Sequence, residues 1–366
     1  MRKTLLAAAI GSMAFGVNAA NLNDIKISGF GSVGVGIANN DVGYAGYEKE
    51  LGYKQDTLLG LQFDFQVNDR ASVKTQIVAN GRYNFEPAFE VAYLSYNLDF
   101  ATVRGGKIRT PFFMYSDYLD VGYAYPMLRP SQEIYEHLII SSFTGIDAII
   151  PVELGDSTLE LQPFTGVSQL EERDSNFGQQ ADIKDVLGLA ANWYVGDWTV
   201  HGSYVQATAK GMDNLPPQLQ LFEIDEDQDV AFASLGVQYN DGTWLFNAEG
   251  MSMEMDGAYY DVEAASVLLG YQTGEFTPYV ATGYIQTSDN GERTGVLGHK
   301  AFKEFERTSY SVGLRWDFAT NVAMKLDATY ADFNNTNGAF TSNVSDTFQF
   351  IENDVIVYSA SVDFVF

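Results

Sequence analysis

The sequence predicts an all-β fold, a transmembrane antiparallel β-barrel of about sixteen strands with long extracellular loops, and three observations carry that expectation. Polar and apolar residues alternate along short segments. Short turns and long polar loops alternate between those segments, and the chain ends on an aromatic strand. In the last segment, residues 354–366, Ile356, Tyr358, Ala360, Val362, Phe364 and Phe366 fall on one face, because strand side chains alternate sides. Val357, Ser359, Ser361 and Asp363 make the other, mostly polar face. Chain ends in water normally fray, whereas a barrel in lipid must pair its last strand with its first so that no edge stays open.

The N-terminus has the form of a secretory leader. Arg2 and Lys3 precede an apolar stretch from Leu5 to Phe15, with Val17 and Ala19 placed for cleavage after Ala19. The chain thus divides into a leader, 1–19, and one barrel domain, 20–366, without a linker. No later run reaches the roughly 18 apolar residues of a spanning helix. An exported chain with no cysteine fits a periplasmic or outer-membrane destination. The composition, 46% hydrophobic with 25 Phe, 22 Tyr and 34 Gly, excludes disorder and suits a barrel with one apolar and one wet face. A large soluble β-sandwich or β-helix is the competing architecture.

Net charge is −27, falling to −29 once Arg2 and Lys3 leave with the leader. That excludes nucleic acid as a partner, since phosphate binding needs a basic patch. It also repels anionic ligands unless basic groups are concentrated locally. Solvated acidic loops account for the surplus; divalent cations bridging such loops to lipopolysaccharide are the sharper alternative.

Short connections with turn chemistry fall at Asn68-Asp69-Arg70, Asn97-Leu98-Asp99, Gly155-Asp156, Gly196-Asp197, Asp241-Gly242, Thr273-Gly274-Glu275 and Ala319-Thr320-Asn321. Between them lie longer polar connections near 38–55, 81–88, 110–140, 169–185, 209–228, 255–260, 288–307 and 334–353. Seven short turns and eight long loops separate sixteen strands, with both termini on the short-turn side. Barrels of the outer membrane place short turns in the periplasm and long loops outside. Individual strands agree. Leu59, Leu61, Phe63 and Phe65 alternate with Gly60, Gln62, Asp64 and Gln66; Tyr310, Val312, Leu314, Trp316 and Phe318 oppose Ser309, Ser311, Gly313, Arg315 and Asp317. Met324, Leu326, Ala328 and Tyr330 oppose Lys325, Asp327 and Thr329. The charged faces suit a wet lumen and would be costly in lipid. Tyr239, Trp244, Phe246, Tyr271, Phe276, Trp316 and Phe318 flank the short turns, where an interfacial aromatic girdle belongs.

The aromatic ending, the opening strand Lys26-Ile-Ser-Gly-Phe-Gly-Ser-Val-Gly-Val-Gly36 and the strand count together resemble the general porins of Gram-negative bacteria, the trimeric sixteen-stranded diffusion channels. The resemblance spans the mature chain as a pattern. It implies an outer-membrane homotrimer in contact with lipid and lipopolysaccharide, passing small hydrophilic solutes, with a third long loop folded into the lumen. Here that loop is 110–140. By carry-over, Arg104, Lys107 and Arg109 of the preceding strand, with Arg82 from its neighbourhood, become the basic constriction wall. Asp117, Asp120, Glu133 and Glu136 become the acidic loop side. In the family such groups face each other across the gap, and the field between them orients dipolar solutes. The family's Pro-Glu-Phe-Gly-Gly loop signature is missing. The loop is instead aromatic, with Phe112, Phe113, Tyr115, Tyr118, Tyr123, Tyr125 and Tyr135, rings that pin it to the wall or line a stacking track for sugars.

Other motifs carry less. Gly29-Phe-Gly31-Ser-Val-Gly34 matches a dinucleotide fingerprint literally but lies inside a strand, where small residues serve packing. His201 and Ser203 share a strand face, faintly as in outer-membrane lipid hydrolases, yet a lumen-facing structural histidine is the simpler reading. His137 and His299 lack ligand spacing, and Asp225-Glu-Asp227-Gln-Asp229 lacks the glycine and glutamate of a calcium loop. No catalytic residue, cofactor or metal site is expected. A passive channel is the leading function. A specific channel for a sugar or carboxylate, a lipid hydrolase and an adhesin follow as rivals.

Overall fold

The computed structural model describes residues 25–136, 140–170, 181–210, 227–256, 260–288, 305–336, 338 and 352–366. The leader, His137 and His299 lie outside them. Sixteen strands are present. The first eight are β1 (Ile25–Ala38), β2 (Leu58–Gln66), β3 (Ala71–Asn80), β4 (Pro87–Asn97), β5 (Thr102–Arg109), β6 (Ser142–Leu154), β7 (Ser157–Leu170) and β8 (Ala181–Val195). The second eight are β9 (Trp198–Ala209), β10 (Gln228–Asn240), β11 (Trp244–Met255), β12 (Val262–Tyr271), β13 (Phe276–Thr287), β14 (Glu306–Ala319), β15 (Val322–Asp332) and β16 (Asp354–Val365). Each pairs antiparallel with its sequence neighbours, and β16 pairs with β1, so the sheet closes. All seven short turns and all eight long connections fall where the sequence puts them. The competing sandwich and β-helix are thereby excluded.

The outer wall is apolar and uncovered: Ile27, Val33, Leu187, Leu235 and Val312 are each about 60% exposed. A closed sheet showing that face to water would be unstable as a monomer, while in lipid it is the required surface. Near the short turns, Trp198 packs against Tyr239, Trp244 against Tyr271 and Phe276 against Trp316, with ring centroids 4.7, 4.9 and 5.8 Å apart, which forms the expected girdle. The opposite face buries polar side chains, among them Gln76, Arg104, Asp147, His201, Arg307, Lys325 and Asp363.

One packing device recurs. Phe30 lies directly opposite Gly60, Phe164 opposite Gly188 and Tyr279 opposite Gly313, and in each case a Cβ on the glycine would come within 2.3 Å of the ring. At the seam, Phe364 covers Gly31 and Phe366 covers Gly29, whose N–H and C=O both bond the Phe366 backbone at 2.9 Å. A glycine opposite an aromatic gives the ring a flat backbone surface to lie on. The glycines of 29–34 thus serve strand packing, and β1 rules out the strand-to-helix context a dinucleotide motif needs.

The seam predicts a graded response. Phe364→Ala should lower stability by about 1 kcal/mol, read as an earlier urea midpoint for barrel unfolding in lipid vesicles. Gly31→Val, whose Cβ meets Phe364 at 2.6 Å, should cost more. Equal midpoints for all three proteins would show that the ring contributes nothing to closure.

Candidate constriction site

The connection after β5, residues 110–141, is loop 3, and it is folded into the barrel. Its neck is tied by the Thr110 N–H to Ser141 O at 3.2 Å and by the Thr110 hydroxyl to Ile140 O. Pro111, Pro126 and Pro130 restrict the backbone between. Irregular backbone inside a barrel meets a particular difficulty. The wall's own N–H groups are already used in the sheet, so buried loop carbonyls need donors from side chains.

Those donors come from one side of the barrel. Ser203 on β9 and Ser234 on β10 both donate to Phe112 O, and His201 Nε2 sits 3.2 Å from it. On β14, the Arg315 guanidinium donates to Tyr123 O and Tyr125 O at 2.7 and 3.0 Å. On β15, Lys325 Nζ donates to Gly122 O and Met127 O at 2.6 and 2.8 Å, and Asp363 lies 3.0 Å away as its counter-ion. The Leu128 N–H donates to the Tyr279 hydroxyl, and the Tyr135 hydroxyl to Glu249 at 2.9 Å. The rings complete the attachment: Phe112 stacks on Phe232 at 4.6 Å, and Phe113 meets the same ring edge-on at 5.4 Å. Phe112, Phe113, Tyr115 and Tyr125 are buried. Of the two readings of the aromatic loop, pinning to the wall is the one observed.

A second long loop joins it. Residues 39–57, between β1 and β2, bury Val42, Tyr44 and Tyr47 against Phe333, Val355 and Val357. Their carboxylate Asp56 receives Arg129 of loop 3 at 2.6 and 3.1 Å, the Tyr47 hydroxyl at 2.7 Å, and Arg82 at 3.8 Å. Arg129 also reaches Ser359 on β16 at 2.8 Å. Burial pushes the Asp56 carboxyl up, but Arg129 and then Arg82 more than offset this and hold it below the usual carboxylate range.

The sequence-derived charges end in different places. Arg104 is held by Asp147 of the adjacent strand, with Nε 2.9 Å from Oδ1, and its guanidinium stacks over Tyr93. Arg109 does meet the loop: it forms an ion pair with Asp120 in direct contact and lies 3.7 Å from Glu90. Lys107 lies in register with Ala92 and Thr144, and among the described residues it has no ion pair. Glu133 and Glu136 are both bound by Arg307 of β14 at 2.9 Å, Glu133 being fully buried, and so fasten the loop. Arg82 stands beside Asp56 at the loop cluster, away from the Arg104 row. Asp117 alone of the loop carboxylates is exposed and unpaired among the described residues, within electrostatic reach of Arg104 and Tyr194. Basic wall and acidic loop therefore touch at Arg109–Asp120, where the expected arrangement kept them apart across a gap.

The residues that hold the loop, Arg129, Arg307, Arg315 and Lys325 with Asp56, Glu249 and Asp363, carry no motif. Their one signal is a charge on the inward face of an alternating strand, visible for Arg315 and Lys325. His201 and Ser203 face the lumen as expected of structural groups.

The Asp56 clamp gives a pH prediction. A carboxylate whose folded pKa is depressed contributes fully above its unfolded value, about 4, and loses that contribution as the pH falls through the lower folded value. Hydrogen-exchange protection of Met127–Ile134 should hold from pH 7 through the ordinary carboxylate range and drop only below it. In Arg129→Met it should be reduced at every pH.

No protein-family model matches this chain, and neither does any curated protein sequence. Solved structures do resemble it. An anion-selective porin from Comamonas acidovorans superposes with a TM-score of 0.62 at 12% identity, covering 93% of this chain and 99% of that one. The outer-membrane channel DcaP of Acinetobacter baumannii gives 0.58 at 16%, covering 93% and 97%. The trimer form of OmpT, an outer-membrane protein of Vibrio cholerae, gives 0.59 at 12%, covering 93% and 99%. At these identities the likeness is one of architecture. The chain has the sixteen-stranded barrel fold of Gram-negative outer-membrane porins.

Proposed function

We propose that this chain is an outer-membrane diffusion channel for small hydrophilic solutes and ions, working as a homotrimer embedded in lipid and lipopolysaccharide. The observation that carries the reading is the folding of loop 3 into the lumen, with its hydrogen bonds running mainly to β9–β16. The loop touches the other wall at Arg109–Asp120, and the strip of lumen beside that contact, bordered by Asp117 and by Arg104 of β5, is the route for solutes. Rate and selectivity then follow from width and charge along that strip, without covalent chemistry. The trimer form of the Vibrio neighbour and the exposed apolar outer wall support the assembly.

The arginines along this route are spent on carboxylates in contact, Arg104 on Asp147 and Arg109 on Asp120, and Lys74 lies 3.8 Å from Asp64. Asp117 is left as the net charge of the narrowing, so the channel favours cations. The Comamonas neighbour, described as anion-selective, differs in that respect. The rival readings lose their motivating features. The aromatic rings a sugar channel would use are packed into the wall. Ser203 donates to the Phe112 carbonyl, with no bond to His201 of the kind a hydrolase needs among the described residues.

Single-channel recording in a planar bilayer under a KCl gradient tests the proposal. Closure in three steps with a cation-side reversal potential is expected; folded protein without conductance would overturn it. Asp117→Asn should lower the cation-to-anion permeability ratio about twofold to fivefold, the effect of removing a charge worth roughly 0.5–1 kcal/mol in a solvated setting. Arg315→Met with Lys325→Met, which frees four loop carbonyls, should raise the conductance and its noise. An unchanged trace from that double variant would mean the loop does not set the bore.

A further inference from the structure

Behind loop 3 the wall is small and polar. Across β11–β14, register aligns Glu249, Ser266, Gly283 and Ser309 in one row, and Asn247 and Ser311 lie in the next. Gly283 is required there, since a Cβ would come 2.3 Å from Glu133 Oε2 of the loop. With loop residues Ser131–Tyr135 as its roof, this surface encloses a cavity of about 50 Å³. A water needs roughly 10–15 Å³ on that scale, so a few water-sized occupants fit and a sugar does not.

Two side chains are left incompletely matched. Glu249, 5% exposed, accepts the Tyr135 hydroxyl at 2.9 Å and the Met114 N–H at 3.4 Å, and among the described residues no basic group pairs with it. The cations near this wall are committed elsewhere: Arg129 to Asp56, Arg307 to Glu133 and Glu136, Lys325 to Asp363. Asn247 lines the cavity beside the Glu249 carboxylate while 4% exposed, and its Nδ2 makes no hydrogen bond of normal length. A buried carboxylate without a positive neighbour and a poorly matched buried amide are both costly; a cation relieves the first directly, and the second once the amide turns its oxygen to the ion. Amide nitrogen and oxygen are exchangeable by rotation, so the Asn247 oxygen can be presented to the cavity.

We propose that this cavity holds a small monovalent cation, an alkali ion or ammonium, against Glu249, with the Asn247 amide oxygen and the Ser266 hydroxyl completing its oxygen shell. Monovalence follows from the ligands. One carboxylate among neutral oxygens supplies little charge, and no group of three acidic or histidine side chains is placed to hold a metal among the described residues. The ion neutralises Glu249 and bridges the wall to the Tyr135 end of loop 3. It stands behind the loop, outside the route proposed for solutes, and its existence does not depend on the channel reading.

Thallium(I), a heavy surrogate for potassium, tests this in crystals of the full barrel. An anomalous peak bounded by Glu249, Asn247 and Ser266 is expected, absent in Glu249→Gln and several-fold weaker in Asn247→Leu, which keeps the carboxylate should the first variant fail to fold. In solution, the wild-type unfolding midpoint should be higher in KCl than in tetraethylammonium chloride of equal strength, a cation too large for the cavity, and Glu249→Gln should remove the difference. No thallium at this place, a peak that survives Glu249→Gln, or equal wild-type midpoints in the two salts would overturn the proposal and leave Glu249 a protonated buried acid. None of these readouts uses conductance, so they fail or succeed apart from the transport proposal.

Discussion

No backbone N–H or C=O can be left unpaired in hydrocarbon or in a packed interior, and most of this molecule follows from meeting that condition twice. The first time it closes the sheet: β16 pairs with β1, and no edge faces lipid. The second time it concerns loop 3, irregular chain placed where the surrounding strands have no N–H to spare. There the condition is met by long basic side chains, and Arg315 and Lys325 together satisfy four carbonyls. The interior around those two cations, which face each other across β14 and β15, adapts to them: Thr277 and Ser361 lie on their outer sides, Asp317 and Asp363 beside them, and Tyr123 and Tyr125 against them.

A lumen crowded with charges is consequently far less polar in effect than its sequence suggests. Each inward arginine or lysine of loop 3's surroundings meets a carboxylate at contact distance, and a paired charge is felt only weakly a few ångströms away. The overall excess of acid over base therefore resides in the exposed turns and loops and in a few unpaired positions. Asp117 matters through being left over.

The fold and the strand order were legible because the signal is repeated. Alternation with period 2 along Tyr310–Phe318 or Ile356–Phe366, multiplied over sixteen strands and punctuated by Gly, Asn and Asp, fixes which face meets lipid. β5 is less regular: Arg104 and Arg109 differ by an odd number yet both reach interior carboxylates, and Gly106 between them has a φ of +137°. The ties of Glu133 and Glu136 were not legible for a different reason. Their partner Arg307 is more than 170 residues away, and nothing local announces a contact made across a lumen. Asp56 and Arg129 were unreadable likewise, being joined by two loops that meet only once the barrel exists.

Loop 3 lies within the first two-fifths of the chain, yet its anchors Arg307, Arg315 and Lys325 follow the residues they hold by 174, 192 and 203 positions. A barrel assembled from its N-terminal end therefore seats the loop in two stages. Phe112 meets Ser203, Ser234 and Phe232 once β9 and β10 are in place. Until the last three strands arrive, the carbonyls of Gly122, Tyr123, Tyr125 and Met127 lack the donors that later hold them. The last narrowing of the bore is then reached together with closure of the wall. A chain truncated before β14 would lack the edge that seals the sheet, and with it Arg307, Arg315 and Lys325.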